Sequence, residues 1–187
     1  MTKRLFDIVL ALLAALVLAL PCLGIAVLVK LTSRGPVLHW SPRVGRGNRI
    51  FRMPKFRSMR TDTPQVATHL LQDSARWLTP AGGLLRKTSL DELPQLWSIL
   101  KGDMSFVGPR PALFNQHDLI ALRTQHGVDA LPPGLTGWAQ INGRDELPIP
   151  LKVEFDHWYL QHRSLRLDLL ILWRTARKVL ARDGITH

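Results

Sequence analysis

The chain is short of cysteine, of tyrosine and of acidic residues, and each shortage removes a class of explanation. A single cysteine, Cys22, in 187 residues rules out a disulfide framework and permits a reducing compartment. The seven histidines show no His-x-x-x-His or Cys/His ligand spacing, which argues against a structural zinc site. There is no GxxxxGK followed by Ser or Thr and no GxGxxG after a strand, so the familiar nucleotide-binding loops are missing. Repeats and low-complexity tracts do not occur. The acid shortage is informative: 14 Asp and Glu against 25 Lys and Arg leave a formal net charge of +11. That charge calls for an anionic partner such as nucleic acid, anionic lipid or a phosphorylated substrate. The length suits one domain with a real core plus one membrane element.

What the chain has in quantity is a long apolar run. Ile8 to Val29 contains no charged side chain, and at about 1.5 Å per residue it reaches roughly 30 Å, the thickness of a hydrocarbon core. A cleaved signal peptide fits poorly, because Pro21 directly precedes Cys22 and the apolar run continues past both. Lys3 and Arg4 precede the run, and Lys30, Arg34, Arg43, Arg46, Arg49, Arg52, Lys55 and Arg57 follow it, so both flanks read as cytoplasmic. Pro21 removes one helical hydrogen bond and Gly24 loosens the next turn. A helix that enters, bends and returns to the same face reconciles these facts; a straight single pass with a tolerated proline is the alternative. Six tryptophans beside one tyrosine lean toward an interface.

Beyond the run, Val37 to Trp40 and Arg49 to Met53 are short β-prone stretches around GRGN, a hairpin pattern. Lys55, Arg57 and Arg60 surround Phe56 and Met59, a patch whose ordinary reading is a solvated face. Gln65 to Trp77 reads as a helix ended by Thr79-Pro80 and Gly82-Gly83. A further helix is expected from Ser89 or Asp91 to Lys101, with Leu93, Leu96, Trp97 and Leu100 on one face and Gly102 as its stop. That places Asp91 and Glu92 in its first turn. Ser89-x-x-Glu92 is then a capping-box pattern, and the pair could be only a cap. The same position would lower a carboxylate's pKa, which suits a nucleophile or metal ligand. Gly108-Pro109-Arg110-Pro111 holds one guanidinium on a stiff backbone, fit for a phosphate or for an ordinary turn. Pro132 to Arg144, PPGLTGWAQINGR, reads as a long loop presenting Trp138, Gln140, Asn142 and Arg144. Leu165 to Leu180 places Leu169, Leu172, Trp173, Ala176 and Leu180 on one helical face, with Arg174, Arg177 and Lys178 elsewhere. That suits either a helix lying on anionic lipid or an amphipathic core helix.

Taken together these residues resemble the bacterial sugar transferases that act as monotopic phosphoglycosyl transferases. The resemblance is carried by the basic-flanked apolar segment with its proline, KFRSM at Lys55 to Met59, LRKTSLDELPQLWSILKGDMSFVGPRP at Leu85 to Pro111, PGLTGWAQINGR at Pro133 to Arg144, and FDHWYL and SLRLDLLIL toward the C-terminus. It covers nearly the whole chain. One departure is Leu20 before Pro21, where the family often has a serine.

The resemblance implies an α-dominant α+β fold: a re-entrant membrane helix at 1–30, then a compact cytosolic catalytic domain at 31–187 with a short β-hairpin and interfacial amphipathic helices. It implies transfer of a sugar 1-phosphate from a UDP-sugar to polyprenol phosphate, releasing UMP, as the first membrane step of bacterial glycan assembly at the cytoplasmic leaflet of the inner membrane. Residue by residue, Asp91 becomes the nucleophile of a ping-pong reaction and Glu92 a magnesium ligand, with Asp91 beside it at the metal. Lys55, Arg57, Arg86, Arg110, Arg144 and Gln140 become substrate-binding residues, and Asp156 a group that orients a cation or a basic side chain. An ionised aspartate needs no general base, while cations must screen it from the diphosphate it attacks. A nucleic-acid partner is not expected, because the chain lacks a reading module and its bases are not gathered on one recognition helix. A scaffold role would leave the acidic pair and the Pro-Arg-Pro segment without a purpose.

Overall fold

A computed structural model describes residues 2–64, 74–143 and 147–181. The chain opens with one 31-residue helix, α1 (Thr2–Thr32), with Pro21 inside it. At about 1.5 Å per residue this helix is roughly 46 Å long. It is long and apolar enough to cross a membrane. The expected hairpin follows, longer than the sequence indicated: β1 (Leu38–Val44) pairs antiparallel with β2 (Ile50–Phe56) around a 3₁₀ turn at Arg46–Asn48. Then come α2 (Gly82–Lys87), α3 (Gln95–Lys101), β3 (Ser105–Val107), α4 (His117–Gln125), β4 (Gly134–Thr136), α5 (Trp138–Ile141), α6 (Ile149–His162) and α7 (Leu165–Ala181). The described residues are mostly helical, with two small two-stranded sheets.

Two expectations change. Pro132 to Arg144 is not a loop through its described length: β4 pairs parallel with β3, and α5 follows at once. Glycines make this pairing close. A Cβ on Gly134 would stand 2.1 Å from the Gly108 nitrogen, and one on Gly137 would stand 2.1 Å from the Gly108 carbonyl oxygen, so no larger residue fits at either position. Of the helix expected at Gln65 to Trp77, a 3₁₀ turn at Ser74–Trp77 is present, and residues 65–73 lie outside the described residues.

The helix α1 has two unlike faces. Asp7, Ala11, Ile25 and Val29 are buried, and Leu10, Ala14, Leu18, Cys22 and Ala26 pack partly against the cores. These positions recur at helical spacing, so one stripe docks on the domain along most of the helix. Ala11 joins the main core with Phe51, Met53, Ile99, Phe106 and Ile171, and Ile25 and Val29 join a second core with Phe56 and Leu85. The opposite stripe, including Leu5, Leu12, Leu16, Leu20, Leu23 and Leu31, is exposed.

Both ends of α1 are bound to the domain by polar contacts. At the start, Lys3 Nζ lies 2.7 Å from Asp168 Oδ2 on α7. Arg4 donates to the carbonyls of Ile99 and Leu100 at the end of α3, where a cation complements the helix dipole. Asp7 accepts from the Phe106 N–H at 3.2 Å. At the far end, Arg57 donates to the carbonyls of Ser33 and Arg34 and to the Ser33 hydroxyl. The helix α7 also looks two ways: Asp168 and Ile171 face inward, while Leu169 and Trp173 are exposed.

Asp168 is the busiest of these anchors, since Tyr159 also donates to it at 2.6 Å. Replacing it by Ala leaves the buried Tyr159 hydroxyl without that acceptor and unseats Lys3. Asp168→Ala is expected to lower stability by about 2 kcal/mol, and Lys3→Met, which leaves the buried Asp168 carboxylate without its cation, is expected to be destabilising as well. Thermal unfolding of the detergent-solubilised protein measures both, and equal midpoints for Asp168→Ala and wild type would refute the anchor.

Candidate active site

The candidate site is assembled from the hairpin, the α2–α3 connection and the chain after β3. Strand register puts His39 opposite Lys55 and Arg43 opposite Phe51. Alternation along the strands therefore sets His39, Ser41, Arg43 and Lys55 on one face, and all four line a cavity of about 1200 Å³. Asp91, Glu92, Arg86, Arg110 and Gln140 line the same cavity.

The acidic pair is not the helix cap that its spacing indicated. Asp91 and Glu92 lie in a 3₁₀ turn, Leu90–Glu92, and α3 begins only after Pro94. Ser89 makes no capping hydrogen bond and adopts a left-handed backbone with φ of 56°, a conformation uncommon outside glycine. The Ser89 N–H instead bonds the Arg86 carbonyl at 3.0 Å. Glu92 Oε1 lies 2.7 Å from Lys55 Nζ and 3.7 Å from Arg110 Nη2. A carboxylate paired with side chains from two other elements is not acting as a local cap.

Burial reverses the expected titration of Asp91. The residue is only 7% exposed, and desolvation pushes its carboxyl above the ordinary aspartate range. Lys55 and Arg86 pull it back down, while the neighbouring Glu92 adds to the rise. Burial likewise lowers the pKa of Arg86, which Asp91 and Glu92 oppose and Arg110 reinforces. His39 is also held below its ordinary value, by burial first and then by Lys55 and Arg43. The result is two carboxylates beside Lys55, Arg86 and Arg110 in one cavity.

The structure brings Lys55, Arg86 and Arg110 to the pair and places the other sequence candidates differently. Arg57 also lines the cavity; at 4% exposure it is bound to the end of α1 through Ser33 and Arg34 and is an anchor of that helix in place of the solvated residue the sequence allowed. Gln140 is 8% exposed, and neither end of its amide has a hydrogen-bond partner. Arg144 lies outside the described residues. Asp156, at 1% exposure, holds Arg123 by two contacts of 3.0 and 2.7 Å.

Arg123 is a residue that sequence reasoning passed over. Its remaining nitrogen donates to the Arg110 carbonyl at 2.8 Å. The neighbouring carbonyls are held too: Pro109 by the Gly134 N–H at 2.8 Å, Pro111 by Arg43 Nη1 at 3.3 Å, and Ala112 by the Val44 N–H at 3.0 Å. Four successive carbonyls bonded by three different segments, with prolines on both sides of Arg110, leave its backbone little freedom. The available signal was spacing, because Leu119 and Arg123 share one buried face of α4.

The donor set also bears on a metal. Among the described residues no cluster of three or more His, Cys, Asp or Glu could hold one. Magnesium, however, is commonly bound through one or two carboxylates together with substrate phosphates. Asp91 and Glu92, beside cations suited to phosphate, fit that pattern.

Comparison with known proteins shows the family. The sequence profile described as bacterial sugar transferase matches residues 1–182. The uncharacterized sugar transferase EpsL of Bacillus subtilis is 44% identical over 98% of this chain and 89% of its own length. A protein of Aeromonas hydrophila named UDP-N-acetylgalactosamine-undecaprenyl-phosphate N-acetylgalactosaminephosphotransferase is 40% identical over 97% of this chain and 44% of its own. The Xanthomonas campestris protein named UDP-glucose:undecaprenyl-phosphate glucose-1-phosphate transferase is 41% identical over 95% of this chain and 38% of its own. The chain thus spans less than half the length of the latter two.

The Arg123–Asp156 pair yields a stability test. Arg123→Met strands a buried carboxylate and is expected to cost about 3–5 kcal/mol, whereas Arg123→Met combined with Asp156→Leu removes both charges and recovers much of that loss. Chemical denaturation of the three proteins checks this; a double variant no more stable than Arg123→Met would contradict it.

Proposed function

Because the chain belongs to the bacterial sugar transferase family, we propose that it transfers a sugar 1-phosphate from a UDP-sugar to polyprenol phosphate, giving polyprenyl diphosphate sugar and UMP. The observation that carries this reading is the pairing of Asp91 and Glu92 with Lys55, Arg86 and Arg110 in one cavity on a domain docked against a long apolar helix. The relatives named for UDP-sugar and undecaprenyl phosphate support the choice of donor and acceptor.

In the first step a carboxylate oxygen of Asp91 attacks the phosphorus that bears the sugar, and the bond from that phosphorus to the UMP oxygen breaks. Lys55, Arg86 and Arg110 offset the negative charge that carboxylate and diphosphate bring together. In the second step a phosphate oxygen of the acceptor attacks the same phosphorus, the bond to Asp91 breaks, and the carboxylate is restored. Magnesium, held by Glu92 with Asp91 nearby, would supply further neutralisation of the diphosphate. Gln140 offers a donor and an acceptor to neutral groups of the substrate, and Arg144 a further cation.

The proposed setting is the cytoplasmic leaflet of the bacterial inner membrane. That both ends of a helix of roughly 46 Å are fastened to one domain supports placing both on the same side of the bilayer. The exposed leucine stripe of α1 then faces lipid, with Leu169 and Trp173 of α7 available to the same interface. Basic residues on both flanks of the apolar run favour the cytoplasmic side.

Intact-protein mass spectrometry after mixing wild type with magnesium and a panel of UDP-sugars, without acceptor, is expected to show a sugar-phosphate adduct that Asp91→Asn lacks. No adduct with any donor, while UMP appears only when acceptor is present, would replace the covalent route with direct transfer. The pH dependence follows from burial. Asp91 attacks as a carboxylate, and its pKa lies above the ordinary aspartate range. The adduct-forming rate should therefore fall on acidification at a higher pH than for an exposed aspartate. Lys55→Met, which removes a group lowering that pKa, should move the acid limb higher still. Rapid-quench measurement across pH tests both, and a limb unmoved or moved downward in Lys55→Met would count against Asp91 as the titrating group.

A further inference from the structure

Arg123 and Asp156 stand outside the cavity that holds the acidic pair. Neither residue lines it, and both are buried, at 8% and 1% exposure, so neither is placed to touch a substrate bound there. Two buried opposite charges are a costly way to join α4 to α6, because desolvation of both ions offsets most of their attraction, and apolar residues of similar size often serve as well or better. Burial is felt at Asp156, whose carboxyl is pushed above the ordinary aspartate range while Arg123 pulls it down. A purely structural role leaves the choice of ions without a reason.

What an apolar pair could not supply is the third contact. Arg123 places Nε and Nη2 on one oxygen of Asp156, which leaves Nη1 to donate to the Arg110 carbonyl. A guanidinium is planar and rigid, so fixing two of its nitrogens on Asp156 fixes the direction of the third. The side chain of Arg110 lines the catalytic cavity and brings Nη2 to 3.7 Å from Glu92 Oε1. A second cavity of about 30 Å³, lined by Pro109, Ala112 and Arg123, borders the same segment and has room for about one water. Packing alone therefore does not immobilise the segment on that side, and the bond from Arg123 is what holds it.

We propose that Arg123, oriented by Asp156, is a positioning residue for the transfer reaction: it fixes the backbone of Arg110 so that the Arg110 guanidinium is already in place when the diphosphate arrives. The inference rests on the reading of Arg110 as a phosphate-facing cation given above, and adds the pair that sets its position from outside the cavity. A shift of the Arg110 backbone carries the whole side chain with it, and a displacement of about 1 Å in a reacting or stabilising group can slow a reaction on the order of 100-fold. The consequence of losing the pair is thus a slower attack on phosphorus, separate from any loss of stability.

Rate and stability part company in the test. Arg123→Met combined with Asp156→Leu removes both charges and is expected to unfold at a midpoint close to that of wild type. Its adduct, read by intact mass after rapid quench with magnesium and the UDP-sugar that loads the wild type, is expected to form about tenfold or more slowly. The same two substitutions made in Arg110→Ala are expected to change the rate by less than about twofold, because no guanidinium remains to be placed. A wild-type rate in the charge-free variant, or an equal factor in the two backgrounds, would overturn the proposal and leave the pair a structural one. Should the charge-free variant fail to fold, Asp156→Asn keeps the shape of the pair, loosens its hold on Arg123 and is read against Arg110→Ala in the same way. An Arg110→Ala protein as fast as wild type would instead overturn the role of Arg110, and a wild type that forms no adduct would overturn the reading of Asp91.

Discussion

The docking of α1 on the domain along one stripe of small and apolar residues is the constraint on which the rest of the structure depends. Ala11, Ile25 and Val29 are members of the same cores that hold the hairpin, α3 and α7. Lys3, Arg4 and Asp7 fasten one end, and Arg57 fastens the other. The helix therefore supplies part of the core as well as the apolar outer surface. Its inner stripe favours small residues such as Ala11, Ala14 and Ala15, which let helices approach closely, while its outer stripe is mostly leucine.

That docking brings the polar candidate site close to an apolar surface, and the electrostatics reflect the compromise. Burying Asp91 raises its pKa, which opposes the ionised form that the proposed role as nucleophile needs. Lys55 and Arg86 counter that cost locally. The site is thus partly desolvated yet charged, a condition under which fixed cations act more strongly than they would in water. The four bonded carbonyls from Pro109 to Ala112 hold Arg110 near Glu92 without relying on the flexibility of its long side chain.

Sequence reading went furthest where local pattern and tertiary demand coincide. The apolar run, the hairpin around GRGN and the Gly102 stop after Lys101 were legible because turn chemistry and periodicity act over a few residues. The acidic pair was legible as a pair but not in its setting. Ser89 and Glu92 have the spacing of a capping box, yet Glu92 turns to Lys55, 37 positions away, and no local rule contains that contact. Arg57 looked like Lys55, two residues away in a basic patch, but its fate was decided by the end of α1. The parallel pairing of β3 with β4 was hidden because each strand has three residues, too few for a periodic signal. The resemblance points to Asp156 as an orienting group without giving its partner, and Arg123 becomes that partner only through the packing of α4 against α6.

The central claim is that both ends of α1 lie on the side of the membrane that carries the catalytic domain. The direct measurement is cysteine labelling in intact spheroplasts and inverted membrane vesicles, using Thr2→Cys and Arg34→Cys singly in a Cys22→Ala background with a membrane-impermeant maleimide. Both positions are exposed. The account predicts that both label in inverted vesicles and that neither labels in spheroplasts. Labelling of the two positions from opposite sides would mean that α1 crosses the bilayer, contradicting the docked arrangement from which the site is built.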